Sequence, residues 1–142
     1  MLLIADTNIL FSYFWKNSAT RGLLQSRKLD IRSPQYALEE INSKKKEIIG
    51  KASLSAKGFR GIRADLAIYV DFLPLEGYLG FLKEAVAISP DPNDADFFAL
   101  ALKMKAPLWS NDSALKTQGK VSVVSTKELL GSREFIAAMM DG

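Results

Sequence analysis

The sequence of 142 residues contains neither cysteine nor histidine. Without cysteine it can form no disulfide bond or thiolate zinc site, and this composition favours a cytoplasmic location. Without histidine it lacks the commonest general base, Ser-His and Cys-His nucleophile pairs and imidazole metal ligands. Any metal ion must therefore be bound by oxygen atoms, which favours magnesium, manganese or calcium.

Long hydrophobic runs are also missing, since no apolar stretch approaches the roughly 18 residues that a membrane span needs. The first fifteen residues are apolar, but they have no basic start and they contain Asp6, so we do not interpret them as a signal peptide. Lysine and arginine exceed the acids by 19 to 16, which permits an anionic partner without requiring one. The length predicts one domain over residues 1–142.

Short apolar runs alternate with helical segments along the chain. Such alternation predicts parallel strands joined by helical crossovers, and hence an α/β fold: a three-layer α/β/α sandwich around a central parallel sheet of about five strands. The predicted strands are Leu2–Ala5, Leu29–Arg32, Asp71–Pro74 and the apolar parts of "APLWSND" and "VSVVST".

Helix signals punctuate these runs. Ser33 is predicted as an N-cap with Pro34 at the first helical position, and Asp91 as the cap of an apolar helix that ends near Lys105. The two glycines of "KASLSAKGFRGIRADLAIYV" predict a loop before a helix. The last helix is predicted over residues 127–140.

Acidic residues cluster where predicted strands end. Asp6 and Asp112 directly follow strands, Asp94 opens the apolar helix, and Glu40 lies in the helix after the second strand. Each has a simpler explanation as a helix cap, a first-turn acid or a solvated helix residue. However, ligands of such folds bind at the carboxyl ends of the strands, and like charges gathered there repel. A bound divalent cation would offset that repulsion.

These four acids, in "ADTN", "ALEEI", "DADFFALAL" and "LWSND", resemble the four acidic motifs of the PIN domain family. The most specific piece is "DADFFALALKMKAPLWSND", in which Asp94 and Asp112 are 18 residues apart. The resemblance extends from Leu2 to about Leu130. It implies that the family's acids correspond to Asp6, Glu40, Asp94 and Asp112 in that order.

PIN domains are typically ribonucleases that depend on Mg²⁺ or Mn²⁺, and many are homodimeric toxins of VapC-type toxin–antitoxin pairs. The resemblance therefore implies RNA as substrate, an antitoxin protein as a possible partner, and a metal site made by the four acids. Such an ion would bridge acids and phosphate and lower the pKa of its bound water. Asp6 and Asp94 are expected as principal ligands, completed by Glu40 and Asp112.

Neighbouring residues extend this expected site. Asn8 and Ser110 are expected to orient its ligands, and Asp91 is close enough in sequence to reach it. Glu39 adjoins Glu40, and the choice between them stays open. Asp96 is expected to point to a different side of its helix.

A basic segment, residues 43–63, is the candidate RNA-binding surface. Its seven basic residues are Lys44, Lys45, Lys46, Lys51, Lys57, Arg60 and Arg63. Phe59 lies within it and is a candidate for stacking on a base, although a solvated helix end and loop would explain the segment equally well.

The aromatics of "ILFSYFW" are expected mostly in the core, with Tyr13, Phe14 and Trp15 alternatively forming a dimer or antitoxin surface.

Three other functions are weaker interpretations of the sequence. A haloacid-dehalogenase-like phosphatase needs a second acid two residues after the first, where this chain has Asn8. A response-regulator receiver needs an acid pair and a phosphoacceptor that the chain lacks. The remaining alternative is a catalytically inactive PIN-like domain that binds RNA or protein, which need not take up Mn²⁺ at the acidic cluster.

Overall fold

The fold is an α/β sandwich in a computed structural model that describes residues 1–16 and 18–140. Short 3-10 helical turns connect several of its elements. The strands are β1 (Leu2–Ala5), β2 (Asp30–Pro34), β3 (Val70–Leu73), β4 (Leu108–Trp109) and β5 (Val123–Val124). The α-helices are α1 (Thr7–Phe11), α2 (Ala19–Leu24), α3 (Tyr36–Ser43), α4 (Lys45–Ala52), α5 (Ala56–Tyr69), α6 (Leu82–Ile88), α7 (Ala95–Met104), α8 (Thr126–Gly131) and α9 (Arg133–Met140).

The five strands form one parallel sheet in the order β3-β2-β1-β4-β5, which confirms the predicted fold class and strand count. The central strand β1 pairs with β2 on one side, where Leu3 faces Ile31, and with β4 on the other, where Ile4 faces Leu108. These four side chains are buried. The carboxyl ends of β1, β2 and β4 therefore lie at one edge of the sheet.

The predicted helix start at Ser33 and Pro34 is wrong, because both residues end strand β2. Pro34 pairs in register with Leu73 of β3, and the next amide, of Gln35, donates to the Leu73 carbonyl at 2.8 Å. The Ser33 hydroxyl donates to the Ala5 carbonyl at 2.9 Å instead of capping a helix. Tertiary pairing thus overrides the local Ser-Pro signal, and helix α3 begins at Tyr36.

Two further boundaries differ from prediction. Gly58 and Gly61 lie inside helix α5 rather than in a loop. The Ser55 side chain caps this helix by accepting from the Gly58 amide at 2.9 Å, and buried Phe59 and Leu66 anchor it, which offsets about 1 kcal/mol per glycine. The predicted last helix is divided, because Ser132 ends α8 and accepts from the Phe135 amide at 3.0 Å.

The start of the apolar helix follows the prediction. The Asp91 side chain accepts from the Asn93 amide at 2.9 Å and caps a 3-10 turn over Pro92–Asp94, which continues into α7. None of the helices among the described residues has the length and apolar character that a membrane span requires.

Phe59 is fully buried and stacks on Phe14, with ring centroids 5.1 Å apart and planes 17° from parallel. It is therefore unavailable to a nucleic-acid base, and that interpretation of the sequence is wrong. Tyr13 is also fully buried, and its hydroxyl donates to Asp65. Tyr13 and Phe14 thus belong to the core rather than to a dimer or antitoxin surface, whereas Trp15 remains partly exposed.

Replacing Phe59 with alanine should lower the free energy of unfolding by about 3–5 kcal/mol, because it leaves a cavity beside Phe14. Urea denaturation of wild type, Phe59→Ala and Phe59→Leu measures this loss, and the leucine variant should retain more stability. Phe81→Ala, at a side chain that is 37% exposed, is the control and should lose far less. Equal stability of wild type and Phe59→Ala would contradict the core assignment.

Candidate metal-binding site

Asp6 stands directly after the central strand, where the chain turns into helix α1. Its amide donates to the Trp109 carbonyl at 3.1 Å, and its Oδ1 accepts from the Ile9 amide at 2.9 Å. The residue is only 8% exposed. Burial raises the pKa of Asp6 from 3.8 to about 6, against hydrogen bonds from Ser110 and Ile9 that lower it. The ionised carboxylate is thus poorly solvated in the folded chain.

Asp94 has an electrostatic environment similar to that of Asp6. Partial burial and the negative charges of Asp91, Asp112, Asp6 and Glu40 together raise the pKa of Asp94 from 3.8 to about 6. Conversely, the charges of Asp112 and Glu40 raise the pKa of Asp6. The fold therefore brings the four sequence-predicted acids, with Asp91, into one region of mutual repulsion at the carboxyl edge of the sheet.

Glu40 points toward this region from helix α3. The Thr7 hydroxyl donates to Glu40 Oε1 at 2.6 Å across 33 residues of sequence. Desolvation and the charge of Asp96 raise the pKa of Glu40, whereas the Thr7 hydrogen bond and the Lys44 charge lower it. Glu39 is exposed. Asp96 accepts from the Tyr78 hydroxyl, in agreement with its expected different direction.

Asp112 lies beyond strand β4. The Ser110 hydroxyl, which is buried, accepts from the Asp112 amide at 3.1 Å and also forms the hydrogen bond that lowers the pKa of Asp6. One Asp112 oxygen, Oδ1, accepts from the Ala114 amide at 3.0 Å and caps the following 3-10 turn. Ser110 thus connects the two acids at the ends of neighbouring strands.

A cleft of about 190 Å³ opens between these elements. We call it the acidic cleft; its lining includes Asp6, Asn8, Glu40, Lys44 and Asp94. Asn8 is exposed at its rim, and Asp112 lies outside the lining.

The donor set fits a divalent ion that prefers oxygen ligands. Within residues 1–16 and 18–140, no lysine or arginine forms an ion pair with Asp6, Glu40, Asp94 or Asp112, and only the more distant Lys44 offsets part of the charge, at Glu40. In the same part of the chain, no three carboxylates stand close enough together to hold an ion in their present rotamers. Convergence on one ion therefore requires side-chain rotation.

Sequence reasoning missed two members of this region. Thr7 was not identified as the partner of Glu40, although it lies in the "DTN" motif beside Asp6. Lys44 was predicted only as an RNA-binding residue, yet it lines the acidic cleft. Both assignments depend on packing between helices α1, α3 and α4, which the sequence alone does not reveal.

The other predicted RNA-binding residues do not line the acidic cleft. Lys51 pairs with Glu47 at 2.7 Å, and Lys45 and Arg63 lie over the Phe59 ring at 5.8 and 5.7 Å from its centroid. The remaining three, Lys46, Lys57 and Arg60, are exposed.

Comparison with known proteins places this architecture in context. A family model described as "PIN domain" matches residues 4–133. Among solved structures, the chain is similar to one in the crystal structure of VapBC2 from Rickettsia felis bound to a DNA fragment from their promoter. That match has a TM-score of 0.64 and 15% sequence identity, and covers 88% of this chain and 98% of the other. A comparison with curated proteins finds no match.

Replacing Asp6 with asparagine should stabilise the metal-free protein at neutral pH. Because the folded state raises the pKa of Asp6 from 3.8 to about 6, wild type loses stability as pH rises through that interval, by roughly 3 kcal/mol in total. Asparagine keeps the acceptor for the Ile9 amide but carries no charge. Urea denaturation in EDTA at pH 4 and pH 7 measures the difference.

The stabilisation by Asp6→Asn should be present at pH 7 and disappear near pH 4. Glu76→Gln, at an exposed acid outside the acidic cleft, is the matched control and should change little at either pH. A variant that is less stable than wild type at pH 7 would contradict the charge argument.

Proposed function

The chain belongs to the PIN domain family, and on that premise we propose that it is a divalent-metal-dependent endoribonuclease that hydrolyses RNA phosphodiester bonds. The observation that carries this proposal is that Asp6, Glu40 and Asp94 line one cleft at the carboxyl ends of the strands, where burial and the neighbouring charges of Asp112 and Glu40 raise the pKa of both Asp6 and Asp94. Burying such charges is costly unless a cation joins them. Carboxylates alone would also repel a phosphate.

Each residue of the site then has a distinct task. Asp6 and Asp94, whose pKa values are both raised to about 6, would hold Mg²⁺ or Mn²⁺, and Glu40 and Asp112 would complete the site directly or through water. When bound, the ion supplies an activated water and neutralises charge on the phosphate oxygens.

Hydroxyl and amide groups around the carboxylates would hold them in place. Thr7 orients Glu40, and Ser110 connects Asp6 with Asp112. Asn8 at the rim would orient water or substrate. Asp91 adds negative charge beside Asp94 while its Oδ1 caps the 3-10 turn.

We extend the proposal to a biological role as the toxin of a toxin–antitoxin pair, as a homodimer of single-domain chains. Its support is the similarity of fold to a chain of the VapBC2 structure over 88% of this chain. An antitoxin would be the protein partner and RNA the substrate. Co-expression with the product of a neighbouring gene, followed by size-exclusion chromatography with light scattering, tests both the pairing and the dimer.

Wild-type protein should cleave RNA with Mn²⁺ or Mg²⁺ and not with EDTA, and Asp6→Asn should reduce the rate at least about 100-fold by removing a ligand of the ion. The measurement is cleavage of a mixed pool of single-stranded and structured RNA. Circular dichroism first verifies that both proteins are equally folded. Mn²⁺ should also raise the thermal midpoint of wild type more than that of Asp6→Asn.

Absence of cleavage with every metal, together with retained RNA binding and no Mn²⁺-dependent stabilisation, would contradict the ribonuclease proposal. The chain would then be a catalytically inactive PIN-like binding module.

Glu40→Gln and Glu39→Gln form a matched pair that decides between adjacent acids. Glu40 receives the Thr7 hydrogen bond and lines the acidic cleft, whereas Glu39 is exposed. Glu40→Gln should therefore lower the Mn²⁺-dependent cleavage rate at least about tenfold, and Glu39→Gln should stay within about twofold of wild type. The reverse order would exclude Glu40 from the site.

A further inference from the structure

Two depressions continue from the acidic cleft along helix α4. The first, of about 400 Å³, shares Asn8, Phe11 and Lys44 with the cleft. The second, of about 680 Å³, shares Trp15 and Lys51 with the first. Because each shares walls with the next, the two form one path that leads away from the acids; we call it the α4 groove.

The α4 groove is basic, in contrast to the acidic cleft. Lys44 directly precedes α4 and Lys51 lies near its end, seven residues and about 10 Å further along the helix axis. Glu47 between them is the groove's one acid among the described residues, and it pairs with Lys51 at 2.7 Å and with Lys44 at 4.0 Å. Lys16 and Arg21 line the far part. Four cations against one acid leave a net charge of +3.

Two aromatic side chains line the same path. Phe11 and Trp15 are partly exposed and belong to the groove walls, and Trp15 stands where the two depressions meet. A basic path with an aromatic platform is the arrangement with which proteins bind single-stranded nucleic acid, because cations follow the backbone while bases stack on the rings. Trp15 can thus provide the stacking platform that buried Phe59 cannot.

We propose that the α4 groove binds the single-stranded RNA that leads to the scissile phosphate, with a base stacked on Trp15 and backbone phosphates at Lys44, Lys51 and Arg21. This inference rests on the proposed ribonuclease function for its choice of substrate. Lys44 lines both the groove and the acidic cleft and therefore places one phosphate beside the acids. Single strands are selected because a base within a duplex cannot stack on Trp15.

The charges favour RNA over a protein segment as the occupant. A peptide held by the apolar walls alone would not need cations at both ends of the path. A polyanion needs them along its whole length, and the path ends at the acidic cleft, where the proposed ion would bind a phosphate. A protein segment in the groove is therefore the alternative outcome of the test.

Affinity measurements test the groove independently of cleavage. The probe is a fluorescein-labelled single-stranded RNA of about ten nucleotides, and binding is measured by anisotropy in an Asp6→Asn background with EDTA. Trp15→Ala should weaken binding roughly tenfold and Trp15→Phe much less, because phenylalanine keeps a stacking face. Lys51→Met should weaken binding and reduce the salt slope by about 0.7, the value for one lost phosphate contact on a single strand.

Lys57→Met is the matched control, since Lys57 belongs to the same basic segment but does not line the groove. It should stay within about twofold of the parent affinity, as expected for a lysine that contacts no phosphate. RNA should also quench tryptophan emission, and this quenching should disappear in Trp15→Phe, because the second tryptophan, Trp109, is fully buried. Duplex RNA of equal length should bind more weakly.

Two results would overturn the proposal: no binding of single-stranded RNA, or parent-like affinity in both Trp15→Ala and Lys51→Met. The second result would assign the groove to a protein segment. Groove-dependent RNA binding without any Mn²⁺-dependent cleavage by wild type would instead contradict the ribonuclease function and leave the groove assignment intact.

Discussion

Repulsion among carboxylates at the carboxyl edge of the sheet is the constraint on which this site depends. Asp6 cannot move away from it, because β1 is the central strand and pairs with β2 and β4 on its two sides. The Asp6 amide is itself bonded to the Trp109 carbonyl. The backbone therefore holds Asp6 where its carboxylate is poorly hydrated. The free-energy cost of ionising the buried, mutually repelling carboxylates appears as the raised pKa of Asp6 and of Asp94. A bound cation would reduce this repulsion and would thereby couple metal binding to stability.

In the sequence, an acid that follows a strand or precedes a helix suggests either a helix cap or a metal ligand. In the structure, the two roles are compatible for the same carboxylate. Asp6, Asp91 and Asp112 each accept a backbone amide hydrogen bond through Oδ1. A carboxylate has two oxygens and about four acceptor positions, so a cap bond uses only part of its capacity. The second oxygen stays available to a metal ion. Capping is therefore not an argument against metal binding.

The sequence predicts the sheet and the order of its acids well because both are encoded locally, by short apolar runs and by the residues that directly follow them. Prediction from the sequence fails where contacts between residues far apart in the chain determine the structure. β2 extends through Pro34 because β3 offers a partner in register. Phe59 is buried because Phe14 stacks on it from another helical segment. The Thr7–Glu40 hydrogen bond spans 33 residues, and no local signal in either motif announces it.

The opposite charges of the acidic cleft and the α4 groove imply that ion binding and RNA binding are coupled. Without a cation, the carboxylates repel a phosphate that Lys44 attracts, so the two regions oppose each other at their junction. A bound divalent ion removes this opposition and should raise the affinity for RNA. By thermodynamic reciprocity, RNA must then raise the affinity for the ion by the same factor. The acidic cleft would in this way bind its ion and its RNA cooperatively, beside Lys44, which lines both regions.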